Sequence, residues 1–149
     1  MTQEEFIKIL DGKDYPYKIE GNKVIVTHGG YVYLRSLTSL PRGVEFNNEG
    51  YVDLESLTSL PPGVEFNNEG GVYLSALTSL PPDVVFKNGG GVDLRSLTSL
   101  PSGVEFKNRW HVYLGALIGV TFDKWSGNIG GIDSKRLLNA MISLGLFER

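Results

Sequence analysis

A 20-residue period governs this chain. Gly30–Glu49 reads GYVYLRSLTSLPRGVEFNNE, and Gly50–Glu69 reads GYVDLESLTSLPPGVEFNNE. Gly70–Gly89 reads GGVYLSALTSLPPDVVFKNG, and Gly90–Arg109 reads GGVDLRSLTSLPSGVEFKNR. A fifth, broken copy, WHVYLGALIGVTF, begins at Trp110. Self-similarity at a fixed short period is the mark of a solenoid, in which one coil cannot bury its apolar face alone and neighbours bury it together. That excludes most other architectures before any local reading is made.

Within the repeat, apolar columns recur. Val32, Val52, Val72, Val92 and Val112 form one, and Leu34, Leu54, Leu74, Leu94 and Leu114 a second. Leu37, Leu57, Leu77, Leu97 and Leu117 form a third, and Leu40, Leu60, Leu80 and Leu100 a fourth. A further alternating pair is Val44/Phe46, Val64/Phe66, Val84/Phe86 and Val104/Phe106. Val-x-Leu and Val-x-Phe carry the period-2 alternation of short half-buried strands. Pro41, Pro61, Pro81 and Pro101, with Gly43, Gly63 and Gly103, turn the chain between them. An Asn-rich stretch after each Phe makes the return turn, relaxed by the Gly pairs at 70/71 and 90/91. The expected fold is mainly β: a repeat solenoid of about five coils, leucine-rich-repeat-like or β-helix-like, with two short strands per coil. Coils would stack at about 4.8 Å, the spacing of paired strands.

Both ends read as caps, which solenoids need to cover apolar surface and unpaired strand groups. Thr2 with Glu5 fits a capping box, followed by an apolar helix face of Phe6, Ile7, Ile9 and Leu10 that ends at Gly12. Tyr15–Ile19 and Val24–Val26 read as a hairpin around Gly21-Asn22, with the second strand opening the stack. Lys124–Gly131 reads as a loop and Asp133–Leu144 as a capping helix. In that helix Asp133 is the N-cap, Ile132 and Leu137 are a staple, and Leu137, Leu138, Met141 and Ile142 share one face. Gly145 would be its C-cap, with Leu146 and Phe147 packing back. One structural domain results: cap 1–29, repeats 30–122, and loop plus cap helix 123–149.

Function falls to outward positions. Tyr33, Asp53, Tyr73, Asp93 and Tyr113 alternate in the first strand's outward column, and Ile25, Glu45, Glu65, Val85 and Glu105 line the second's. Stacked like charges at about 4.8 Å repel by roughly 1 kcal/mol even in water, so the alternation relieves repulsion that Glu45 and Glu65 incur. From Gly43 to Phe86 there are seven acidic residues (Glu45, Glu49, Asp53, Glu55, Glu65, Glu69, Asp83) and no Lys or Arg. This reads as an acidic belt between mildly basic ends, able to steer a basic partner surface. Tyr is a common interface anchor. The expected partner-binding set is therefore Tyr33, Glu45, Glu49, Tyr51, Asp53, Glu55, Glu65, Glu69, Tyr73 and Asp93. The Thr38/Thr58/Thr78/Thr98, Ser39/Ser59/Ser79/Ser99 and Asn48/Asn68/Asn88/Asn108 columns read as ladders that satisfy turn groups.

Other classes are poorly supported. There is no Cys, so disulfides, thiolate–zinc sites and thiol catalysis are excluded. His28 and His111 lie about four coils apart, roughly 19 Å of stack, too far to share a metal or proton relay. No phosphate loop, HExxH or nucleophile elbow is present, and the serines belong to repeated columns. The expectation is a non-enzyme without cofactor or metal site; carboxylate spacing matches neither an EF-hand nor a nonapeptide calcium repeat. A net charge of −3 argues against direct nucleic-acid binding. No run of 18 apolar residues and no apolar signal core occur, which points to the cytoplasm.

The Leu-Thr-Ser-Leu-Pro element at 37–41, 57–61, 77–81 and 97–101 resembles the 20-residue leucine-rich repeats of bacterial effectors. Arg35, Glu55, Ser75 and Arg95 stand near where those repeats carry Asn, which favours a straighter solenoid over a horseshoe. The unit V-x-L-x-x-L-T-S-L-P-x-G-V-x-F, with the tail Gly131 to Phe147, is more similar to short repeat proteins of bacteriophages and prophages, a group of unsettled function. That resemblance implies a phage or mobile-element setting. There, a non-enzymatic binder would block a host protein, such as a CRISPR effector with a basic nucleic-acid groove, in the bacterial cytoplasm. The alternatives are a structural or assembly protein that self-associates, and a cation or ligand binder using the carboxylate ladder.

Overall fold

The alternating segments form strands, and the strands stack coil on coil. The computed structural model describes residues 1–116, 128–129 and 132–147. Helix α1 spans Gln3–Gly12, and a hairpin follows of β1 (Tyr17–Glu20) and β2 (Lys23–Val26). Each coil then supplies one strand to each of two sheets. The first coils give β3 (Val32–Tyr33), β4 (Val44–Phe46), β5 (Val52–Asp53) and β6 (Glu65–Phe66). The next give β7 (Val72–Tyr73), β8 (Val85–Phe86), β9 (Val92–Asp93) and β10 (Glu105–Phe106). Strands β11 (Val112–Tyr113) and β12 (Asn128–Ile129) and helix α2 (Ile132–Ser143) complete the chain. One sheet has the order β1-β2-β4-β6-β8-β10 and the other β12-β11-β9-β7-β5-β3. The fold is thus mainly β, a solenoid of about four 20-residue turns with a helix at each end.

Register is one coil per rung. Val32 pairs with Val52, Val52 with Val72, Val72 with Val92 and Val92 with Val112, all parallel. The two sheets share one core, in which the described members of all the apolar columns are buried. Phe46, Phe66, Phe86 and Phe106 stack in parallel at 5.2–5.5 Å with interplanar angles of 8–9°. Such pairs contribute roughly 0.5–1.5 kcal/mol each beyond their buried area. Leu117, the last member of its column, and the broken coil's close at Val120–Phe122 lie outside the described residues.

The turns follow from chemistry already in the repeat. Gly43, Gly63 and Gly103 adopt φ of 74°, 83° and 85°, the left-handed region that follows each proline. The same column holds Asp83 at φ 66°. The Asn ladder differs from a chain of paired side-chain amides. Each amide instead ties backbone carbonyls of two coils: Asn68 Nδ2 donates to Gly50 O, Gly70 O and Gly71 O, each at 3.1 Å. Asn48 and Asn88 repeat the pattern one coil either side.

The N-terminal cap forms as its sequence dictates. Thr2 Oγ1 accepts from Glu5 N (3.1 Å), and Thr2 N donates to Glu5 Oε2 (2.7 Å). The Thr2 backbone N–H thereby holds the Glu5 carboxyl below its usual range. Phe6 and Leu10 are fully buried on the first coil, and Gln3 Nε2 donates to Asn22 O and Arg42 O.

At the other end several expectations change. Asn128–Ile129, inside the stretch expected as loop, pairs antiparallel with β11. Helix α2 begins at Ile132, so Asp133 lies inside it rather than at its N-cap. Leu138 and Ile142 are buried with Met141 against them, but Leu137 is 56% exposed: the seam follows the 3.6-residue period through 138, 141 and 142, which turns 137 outward. Gly145 at φ 71° reverses the chain; Phe147 is buried, while Leu146 is exposed. Asn139 acts as a substitute strand: it accepts from Phe106 N at 2.9 Å and donates to Phe106 O at 3.1 Å, closing the edge of β10.

Candidate interaction surface

Of the ten expected partner-binding residues, Glu45 and Glu65 lie on β4 and β6 of one sheet, whereas Tyr33, Asp53, Tyr73 and Asp93 occupy successive rungs β3, β5, β7 and β9 of the other. Glu49, Tyr51, Glu55 and Glu69 lie outside the strands.

The acidic belt is largely paired from within. Glu45 and Glu65 are in register, and Lys23 of the preceding coil stands between them, 3.6 Å from Glu45 Oε2 and 2.7 Å from Glu65 Oε2. The Lys23 hydrogen bond lowers the Glu65 carboxyl pKa, and the same bond raises that of the Lys23 ammonium. Glu45 also accepts from Asn67 Nδ2. On the other sheet Arg35 contacts Asp53 (2.9 Å) and Glu55 (3.2 Å). Asp93 is gripped by Arg95 of its own coil.

Asp53 and Asp93 are therefore not free outward groups. They are 4% and 6% exposed, covered by flanking tyrosines and by arginine, and each also accepts a backbone N–H two residues on. Each acid is satisfied structurally, as a buried carboxylate must be. Tyr73, in register between them, has its phenol pKa raised, first by desolvation and then by the charges nearby, Tyr51, Asp53 and Asp93 among them. Among the described residues Glu49, Glu69 and Asp83 form no ion pair. Two cations, Lys23 and Arg35, thus serve the other four carboxylates of the belt.

What remains outward is aromatic. Tyr31 and Tyr51 stack at 4.8 Å and 16°, and Tyr33 meets Tyr31 edge-on at 6.0 Å. All three are nonetheless exposed, at 48%, 42% and 54%. Glu49 and Glu69, both exposed, lie on the turns that lead into Tyr51 and Gly71. Tyr31 lies outside the expected partner-binding set of ten, though beside the acidic belt in sequence; its place one rung below Tyr51 puts it in the ridge. Tyr113 and Trp110 carry the aromatic surface to the other end of this sheet, 44% and 65% exposed. His28 is occupied by a ring contact with Tyr15, and His111 packs edge-on to Tyr113. No three His, Asp or Glu converge as a metal cluster among the described residues.

The arrangement offers hydrophobic and π contact with an acidic border. Among the described residues no helix is long and apolar enough to cross a membrane. Comparison with protein-family models, with curated proteins and with solved structures finds no match.

Proposed function

We propose that this chain is a non-enzymatic protein-binding module. The supporting observation is the Tyr31–Tyr33–Tyr51 ridge, packed ring on ring yet 42–54% exposed. Rigid, pre-stacked tyrosines give contact area at small entropic cost, the property that makes Tyr an interface anchor. Glu49 and Glu69, beside it and without an ion pair among the described residues, favour a partner that is basic next to its apolar contact. The reading moves the contact away from Glu45, Glu65 and Asp53, whose charges Lys23 and Arg35 already meet. The resemblance to phage repeat proteins supports a host defence protein with a basic groove, such as a CRISPR effector, as the target class.

Capture of partners by the tagged protein from bacterial host lysates, at low and high salt, tests this. One dominant partner is expected, weakened at high salt and lost from a Tyr33→Ala/Tyr51→Ala variant whose far-UV spectrum is unchanged. Capture that survives the double substitution refutes the ridge as contact. A large closed oligomer with no captured partner replaces the module with an assembly role.

A further inference from the structure

One column of the repeat is interrupted. Positions 31, 51, 71, 91 and 111 hold Tyr, Tyr, Gly, Gly and His. Their backbones are continuous: the carbonyls of 51, 71, 91 and 111 each accept from the valine N–H one coil below, at 2.8–3.0 Å. Only the side chains stop. The result is a cleft of about 640 Å³, walled by Tyr51 on one side and His111 with Trp110 on the other, with Tyr73 alongside. Its volume falls within the ~300–1,000 Å³ of ligand pockets.

The glycines in this column are not all demanded by the backbone. At Gly91 a Cβ would lie 3.0 Å from the His111 carbonyl oxygen, and in the neighbouring column, at Gly70 and Gly90, 2.6 and 2.5 Å from backbone of the coil below, so backbone crowds all three. Gly71 is different. A Cβ there would meet Gly91 O and Tyr51 Cδ1 at 3.4 Å, ordinary contact, and Gly71 is not among the glycines with positive φ. Room for a Cβ thus exists at 71, yet that rung carries no side chain.

We propose that this cleft is a docking notch for a cross-strand pair of aromatic side chains on a basic β-hairpin of a partner protein. Three rungs separate Tyr51 from His111, about 14 Å at the strand spacing, which leaves two empty rungs. The Tyr31–Tyr51 pair shows the rung spacing to be 4.8 Å. Directly opposed side chains on an antiparallel hairpin have Cβ atoms about 4.5–5.5 Å apart, so one such pair fills both rungs and completes the ladder. Charge selects the hairpin's flanks. Asp93 and Arg95 neutralise each other within the lining, which leaves Glu69 at the cleft without an ion-pair partner among the described residues. A Lys or Arg beside the aromatic pair meets it. The inference rests on the protein-binding reading and names the segment the surface takes.

The test is a heteronuclear NMR titration of the full chain with a synthetic cyclic hairpin carrying a cross-strand Trp–Tyr pair flanked by Lys. Expected are shifts centred on the amides of Gly70, Gly71, Gly90 and Gly91. The same hairpin with a Leu–Leu pair, or with Glu flanks, should bind at least tenfold more weakly. Gly71→Tyr, which fills the first rung from within, should weaken binding at least tenfold while the far-UV spectrum holds and the melting temperature does not fall. Glu69→Lys, on the exposed turn, should weaken the Lys-flanked hairpin alone. Glycine amides that do not move at millimolar hairpin overturn the proposal, as does equal binding by Gly71→Tyr. So do shifts produced by cellotetraose or adenosine but not by the hairpin. The titration uses no host partner, so its failure refutes the notch and leaves the ridge to be judged by partner capture.

Discussion

Asn68 is the most informative residue to change. Its amide is 1% exposed, and Nδ2 donates to three carbonyls, those of Gly50, Gly70 and Gly71. Each carbonyl keeps a second donor if the amide is removed: Gly70 N, Gly90 N and Val52 N respectively. Asn68→Ala therefore loses two N–H donors, one of them shared between two carbonyls, without orphaning an acceptor. The buried Oδ1 of Asn68 has no partner, so deleting it also removes a desolvation cost. At roughly 0.5–1.5 kcal/mol per net bond, less that relief, the loss is about 2 kcal/mol. Asn68→Asp is nearly isosteric and much worse. It aims a carboxylate, or a carboxyl with one proton, at three carbonyl oxygens in a buried site. Beyond the lost bonds it adds the cost of an unpaired buried charge or its neutralisation, for a total of about 4–5 kcal/mol at pH 7.

The sign with pH is fixed. Burial raises the folded-state pKa of the introduced Asp above its unfolded value of about 3.9, so the folded state keeps a proton that the unfolded chain releases. The excess deficit of Asn68→Asp over Asn68→Ala grows as pH rises through the interval between those two values, and shrinks toward pH 4. Urea unfolding followed by far-UV circular dichroism at pH 7 and pH 4.5 measures both variants. Equal stability of the two at pH 7, or a difference that ignores pH, would falsify the three-carbonyl assignment.

Further outcomes follow from single contacts. Lys23→Met should raise the Glu65 carboxyl pKa toward ordinary values; a wild-type chain should lose this pair's contribution as pH falls below about 4.5, because the depressed group is Glu65. Carboxyl NMR titration reads both, and an unmoved Glu65 contradicts the bridge. Asp83→Gly replaces the one non-glycine in its left-handed column. Relief of about 1 kcal/mol, partly offset by the greater entropy of unfolded glycine, should raise the melting temperature by 1–2 °C or so. Asn139→Ala should cost about 1–3 kcal/mol and speed hydrogen exchange at Phe106 before that at Phe46; uniform loss across the stack would refute edge closure by this side chain.

The apolar columns were legible because a solenoid converts sequence period directly into ladders. Val72 touches Val52 and Val92 for no reason beyond being 20 residues from each. The Thr2–Glu5 cap was legible because it is local. Charge counted along the chain misses contacts that the stack makes, because it brings residues one and two periods apart together. Lys23 lies outside the acidic window in sequence and inside it in space, as does Arg35. Burial of Asp53 and Asp93 was hidden for a related reason. Alternation with Tyr relieves like-charge repulsion, but the same tyrosines roof the short carboxylates over. Asn139 had no sequence signal: its role depends on where a helix outside the repeat happens to lay its amide.

Repetition also supplies an internal test of which positions are free. A column held constant through every coil, such as Phe46 to Phe106 or Asn48 to Asn108, is explained by the stack itself, because each Phe stacks on its copies and each Asn amide ties the same backbone carbonyls of two coils. A column that varies under the same backbone constraints is not. The series Tyr31, Tyr51, Gly71, Gly91, His111 varies on a strand edge whose hydrogen bonds do not change from coil to coil. Stability alone would favour continuing the tyrosine ladder, since each added ring contributes stacking of roughly 0.5–1.5 kcal/mol. Interruption at Gly71, where a side chain fits, forgoes that gain and opens the cleft instead. A column that breaks off where a side chain would fit is therefore one where selection for something other than the stack should be sought.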